Sequence, residues 1–139
     1  MCGESLFLFC GKDTNNHHQP LNIIQKLDLA AQSLQWRPLD VTFKDCETWT
    51  SRDTCGAFAY ENKIVIFGGN SGWLSESYEL DVTTMEMTKG QPLIKAEEFI
   101  NCQPAYGLRD RVYLVGELDK DLHVYRNSKW YLVDIKLVE

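Results

Sequence analysis

An apolar run that ends at paired glycines, Ile64-Val65-Ile66-Phe67-Gly68-Gly69, limits the folds open to this chain. Four consecutive apolar residues rich in β-branching suit a strand covered on both faces, since strict alternation belongs to a strand with one wet face. Gly68 and Gly69 then let the chain leave that strand with positive φ and a close backbone approach. A turn-rich loop follows. After it comes Tyr78-Glu79-Leu80-Asp81-Val82, where apolar and acidic residues alternate as in a half-buried strand. Weaker copies of this order stand on both sides. Upstream, Leu6-Phe7-Leu8-Phe9-Cys10-Gly11 precedes Gln25-Lys26-Leu27-Asp28; downstream, Val112-Tyr113-Leu114-Val115-Gly116 precedes His123-Val124-Tyr125. The first glycines of the copies stand at 11, 68 and 116, in steps of 57 and 48 residues. Self-similarity at about 50 residues marks an array with one supersecondary unit per copy.

The copies resemble the kelch repeat, which reads as an apolar strand, a double glycine, a loop, a Tyr-x-Leu/Asp strand and a Trp on the outer strand. The middle copy has Gly68-Gly69 and Tyr78 in those places, with Met85 or Met87 where the Trp would stand. The first copy has Gly11-Lys12 and keeps Trp36. The third has Gly116-Glu117 and Tyr125 and keeps Trp130. The resemblance covers nearly the whole chain. It implies an all-β fold of about three four-stranded antiparallel blades of a kelch-type β-propeller, over residues 1–45, 50–90 and 100–139 of one undivided segment 1–139. Strands are expected near 5–10, 22–29 and 34–41, near 55–60, 63–68, 76–82 and 85–89, and near 103–108, 111–116, 121–126 and 129–135. Short helical turns fit 30–34 and 95–100. Trp36 and Trp130 are expected to pack between neighbouring blades. Propellers close with about 4–8 blades, so three copies make an incomplete ring, completed by self-association, a partner chain or further sequence. Bare apolar ends are expected near Phe7 and Phe9 on one side and Tyr113 and Tyr131 on the other.

Composition agrees with a folded domain: 44% of residues are apolar and 24% charged, enough for a core. A net charge of −6 argues against a partner held by phosphate contacts, which needs clustered Lys and Arg. No run of 18 apolar residues marks a membrane span, and no basic-then-apolar leader opens the chain. The five cysteines, Cys2, Cys10, Cys46, Cys55 and Cys102, include no CxxC pair and read as reduced, mostly buried thiols. Cys55 and Cys102 precede their glycines by 13 and 14 residues, as small packing residues on equivalent inner strands. These features point to a cytoplasmic home.

Sites of chemistry are sparse. His17-His18 is an adjacent pair in a polar loop, and no further ligand completes a metal set at known spacing. Asp119, Asp121 and His123 alternate and could share a face, but they flank the strand entry of a short hairpin, which argues against a metal site there. Gly68-Gly69-Asn70-Ser71-Gly72 lacks the lysine and the following helix of a phosphate loop. The copper and iron ligand sets of some kelch-like enzymes find no counterpart here. The expectation is therefore no catalytic constellation, metal or cofactor. What remains is surface. Trp73, Trp49, Arg52, His17, His18 and Lys95 fall in loops that such a fold gathers on one face, and Trp and Arg dominate binding hot spots. The resemblance thus implies a protein–protein interaction module, a scaffold or subunit of the kind found in ubiquitin-ligase adaptors and cytoskeletal components. The competing class is an enzyme or ligand-binding propeller with its site at the mouth of a completed central channel.

Overall fold

A computed structural model describes residues 4–15, 19–20, 23–45, 52–69, 75–94, 105–108, 110–115 and 121–133. Among these residues the chain is all β, without a helix. The strands in chain order are β1 (Ser5–Phe9), β2 (Lys12–Asp13), β3 (Gln19–Pro20), β4 (Ile24–Asp28), β5 (Trp36–Pro38), β6 (Thr42–Lys44), β7 (Gly56–Tyr60) and β8 (Lys63–Phe67). They continue as β9 (Ser77–Asp81), β10 (Glu86–Lys89), β11 (Tyr106–Leu108), β12 (Arg111–Val115), β13 (Leu122–Arg126) and β14 (Lys129–Val133). Residues 29–33 make turns and bends where a helical turn was expected; 95–100 and Gly116 lie outside the described residues.

Three sheets carry the fold. The first pairs β1-β4-β5, the second contains the meander β7-β8-β9-β10, and the third repeats that meander as β11-β12-β13-β14. β2 and β3 form a small hairpin apart from them. One strand departs from the expected plan. β6, in a stretch where no strand was expected, crosses to the second sheet and pairs parallel with β10, Phe43 opposite Met87. Val41 and Phe43 then pack on the core between the first and second sheets. That burial draws the segment across.

The second sheet is covered on both faces. Val65 and Phe67 join Phe58, Tyr60, Val112, Leu114, Tyr125 and Trp130 in a core against the third sheet. Ile64 and Ile66 join Tyr78, Leu80, Met87, Cys10 and Ile24 in a core against the first. This is why β8 is apolar at every step, as its sequence indicates. It also corrects two expectations. Phe7 and Phe9 pack on the core between the first and second sheets instead of lying on a bare end; the other face of β1 carries Leu6 and Leu8. Glu79, read as a solvent-facing residue of a half-buried strand, is buried.

Register makes the three sheets comparable. Leu6, Ile64 and Val112 stand opposite Leu27, Leu80 and Tyr125, which stand in turn opposite Trp36, Met87 and Trp130. Met87, not Met85, therefore takes the tryptophan position; Met85 sits in the preceding turn at φ 58°. Met87 and Trp130 are buried in the two cores, but Trp36 is 45% exposed. Trp36 does not pack between sheets, because no described sheet lies on its side of the first one.

A disulfide joins Cys10 to Cys55 across 45 residues, with the Cα atoms 6.7 Å apart. This overturns the reduced-thiol reading for these two cysteines. Cys10, at φ 65°, turns the chain at the end of β1, and Cys55 leads into β7; both are buried in the core shared by the first two sheets. Spacing along the chain gave no sign of this proximity.

Candidate interaction site

Of the loop residues expected to meet a partner, His17, His18, Trp49, Trp73 and Lys95 lie outside the described residues. Arg52 is described, and it is not a surface residue: it is 0% exposed. Its Nη1 donates to the carbonyl oxygens of Gly68 at 2.9 Å and Glu76 at 3.2 Å. The guanidinium lies 5.1 Å from the centre of the Tyr78 ring, within cation–π range. Burial pulls its pKa below the usual arginine value, while Tyr78 and Glu76 oppose the shift. Gly68 and Gly69 have φ of 65° and 116°, and a Cβ on Gly69 would sit 3.0 Å from the Asp53 carbonyl oxygen. The double glycine and Arg52 thus form one unit, in which a single guanidinium nitrogen, Nη1, bridges the carbonyls at the two ends of a loop whose first turn suits glycine. Gly11 has φ 119°, and the turn it makes is tied to the same segment, through Lys12 to Asp53 at 2.6 Å and Cys10 to Cys55.

A second polar group joins the second and third sheets. Glu79 accepts hydrogen bonds from Tyr125 Oη at 2.6 Å, Lys63 Nζ at 2.7 Å and Ser128 Oγ at 3.2 Å. Burial pushes the Glu79 carboxyl up, but the bonds from Lys63 and Tyr125 outweigh it and hold the pKa below its usual value. The same pairing raises the Tyr125 phenol, through burial first and then its bond to Glu79. Tyr60 Oη adds a second link, donating to the Asp110 carbonyl at 3.0 Å and accepting from the Asn127 amide at 3.2 Å. Asn127 and Ser128, at φ 51° and 56°, form the two-residue turn that brings these groups to the interface. Sequence reading missed this clamp. Its signal was an acidic residue inside a strand whose neighbours, on a doubly covered sheet, must all be buried.

The remaining candidates are the outer faces of the first and third sheets. On the third, Tyr106, Leu108, Val115 and Tyr131 are exposed, as expected for Tyr131. A groove of about 450 Å³ runs there between Arg111, Arg126, Val124, Tyr131 and Val133. On the first, the exposed residues include Leu8 and Trp36. A second hollow, about 290 Å³, lies on the other side of that sheet, the side of Phe7, and is lined by Lys26, Asp28, Arg37 and Leu39. Among the described residues no three His, Cys, Asp or Glu side chains group to hold a metal ion, and no helix is long and apolar enough to cross a membrane.

No family model matches the chain, and no curated protein is significantly similar to it.

Proposed function

We propose that this chain is a segment of a kelch-type β-propeller that acts through protein–protein contacts, as a scaffold or subunit of a larger assembly. One observation carries the reading: Trp36 is exposed at a register position whose two counterparts, Met87 and Trp130, are buried against a neighbouring sheet. A repeat that buries the same position twice and bares it once has an open end. The repeated meander, the glycine turns and the doubly covered middle sheet support the same reading, and an open array of this kind is completed by self-association, a partner chain or further sequence. Rigid stacked sheets present such a surface with little ordering cost on binding.

The cytoplasmic placement expected from reduced thiols loses that support for Cys10 and Cys55, whose disulfide fits an oxidising compartment. Alkylation of the chain in its source should leave these two cysteines unlabelled until reductant is added, and labelling without reductant would restore the cytoplasmic reading.

The test of function is native mass spectrometry of the chain from its source, followed by cross-linking. The expected result is a complex with cross-links near Lys129, on the outer face of the third sheet. A free monomer would overturn the proposal.

A further inference from the structure

The register of the sheets says more about what covers the open ends. In the second sheet Phe58 stands opposite Val65; in the third Tyr106 stands opposite Tyr113. Val65 and Tyr113 hold the same place in their strands, opposite Glu79 and Val124. Tyr106 is therefore the counterpart of Phe58, and by the same count Val115 is the counterpart of Phe67. Phe58 and Phe67 form the seat of Trp130, with ring centres 6.0 and 5.5 Å away in edge-on contact. Their counterparts Tyr106 and Val115 are 63% and 46% exposed. The chain thus carries an unfilled tryptophan seat at one end and, at the other, a tryptophan without a seat.

We propose that a second copy of this chain fills both, head to tail, with Trp36 of each copy seated between Tyr106 and Val115 of the other. The inference rests on the propeller reading and names the partner it leaves open. Chemical matching favours the second copy over an unrelated sheet. Across the existing interface Glu79 meets Tyr125, polar against polar. The counterparts of those two positions on the open faces are Val124 and Leu27, apolar against apolar. A sheet with a tyrosine there would bury its hydroxyl against Val124 without a partner, which is costly. The chain's own first sheet avoids that mismatch. Closure agrees as well. Two copies supply six sheets, inside the range of about 4–8 that closes a propeller. Both new interfaces are identical and related by a two-fold axis, so no apolar face remains to drive a filament.

The test uses the full chain and two surface substitutions, Trp36→Lys and Val115→Glu. In sedimentation velocity the parent should run as a dimer and each variant alone as a monomer, because each carries one charged residue into both interfaces. An equimolar mixture should return to the dimer, since a mixed pair has one native interface and one in which lysine faces glutamate. Far-UV circular dichroism is recorded beside each run; a variant that loses its β signal alone should regain it on mixing. A monomeric parent, a variant as dimeric as the parent, or a mixture without recovery would overturn the proposal. If the purified chain is a monomer while the source complex holds a different polypeptide on these faces, the second copy is refuted and the interaction reading survives. A monomer in both settings refutes both.

Discussion

Replacing Glu79 by Ala removes one acceptor from three donors at the interface between the second and third sheets. The buried Tyr125 hydroxyl then loses its carboxylate acceptor, which costs about 1–3 kcal/mol. Lys63 loses its ion pair, but its side chain is 32% exposed, so water recovers part of that loss. Together the substitution should destabilise the fold by about 2–4 kcal/mol, a fall in Tm on the order of 10 °C for a domain of this size. Urea or thermal melts near neutral pH measure it. A double-mutant cycle with Tyr125→Phe should give a coupling of about 1–2 kcal/mol, because the two side chains share a hydrogen bond. The pH dependence has a definite sign. The Glu79 carboxyl is held below its usual value in the folded chain. Its stabilisation is therefore complete above the ordinary carboxylate pKa and is lost as pH falls through the lowered, folded value. Glu79→Ala should flatten that acid limb. An additive cycle with an unchanged acid limb would refute the clamp.

Three further outcomes follow from named contacts. Reducing the Cys10–Cys55 disulfide, which closes 45 residues, should cost about 4 kcal/mol on the chain-entropy relation; parallel melts with and without reductant check it. Trp130→Ala should cost about 3–5 kcal/mol at any protein concentration, whereas Trp36→Ala should lower Tm only through lost association, an effect that depends on concentration. Gly68→Val places a β-branched residue at φ 65° and should destabilise by about 1–3 kcal/mol, and Gly56→Ala drives a Cβ into the buried Phe67 ring; thermal melts indistinguishable from the parent would show that neither turn nor close approach is needed.

Much of the architecture was legible because it is local. Ile64 to Phe67 with Gly68-Gly69 announces a strand buried on both faces and a turn; β7 to β10 and β12 to β14 lie within one or two residues of their expected bounds, and β11 starts three residues later than expected. The face that a strand turns to its neighbour was harder. Leu6-Phe7-Leu8-Phe9 is apolar at every step, so the run alone could not say that Phe7 and Phe9 point inward. β6 was missed although Leu39, Val41 and Phe43 alternate with polar residues, since three paired residues make too short a period to separate from a loop. The disulfide and the Glu79 clamp join positions 45 and 46 residues apart, and no spacing rule connects them before the sheets are stacked. Arg52 read as a surface anchor because an arginine in a loop usually is one. Its burial follows from the carbonyls of Gly68 and Glu76, which turn inward and need a donor.

Sedimentation equilibrium of the disulfide-intact chain, from submicromolar to high micromolar concentration, tests the central claim that the two end sheets are unfinished surfaces. The account predicts a reversible monomer–dimer equilibrium that reaches twice the 16.0 kDa chain mass, with a Tm that rises with concentration because association stabilises the fold. A monomer at every concentration, with a sharp transition at a constant Tm, would show that the end faces need no cover and would contradict it.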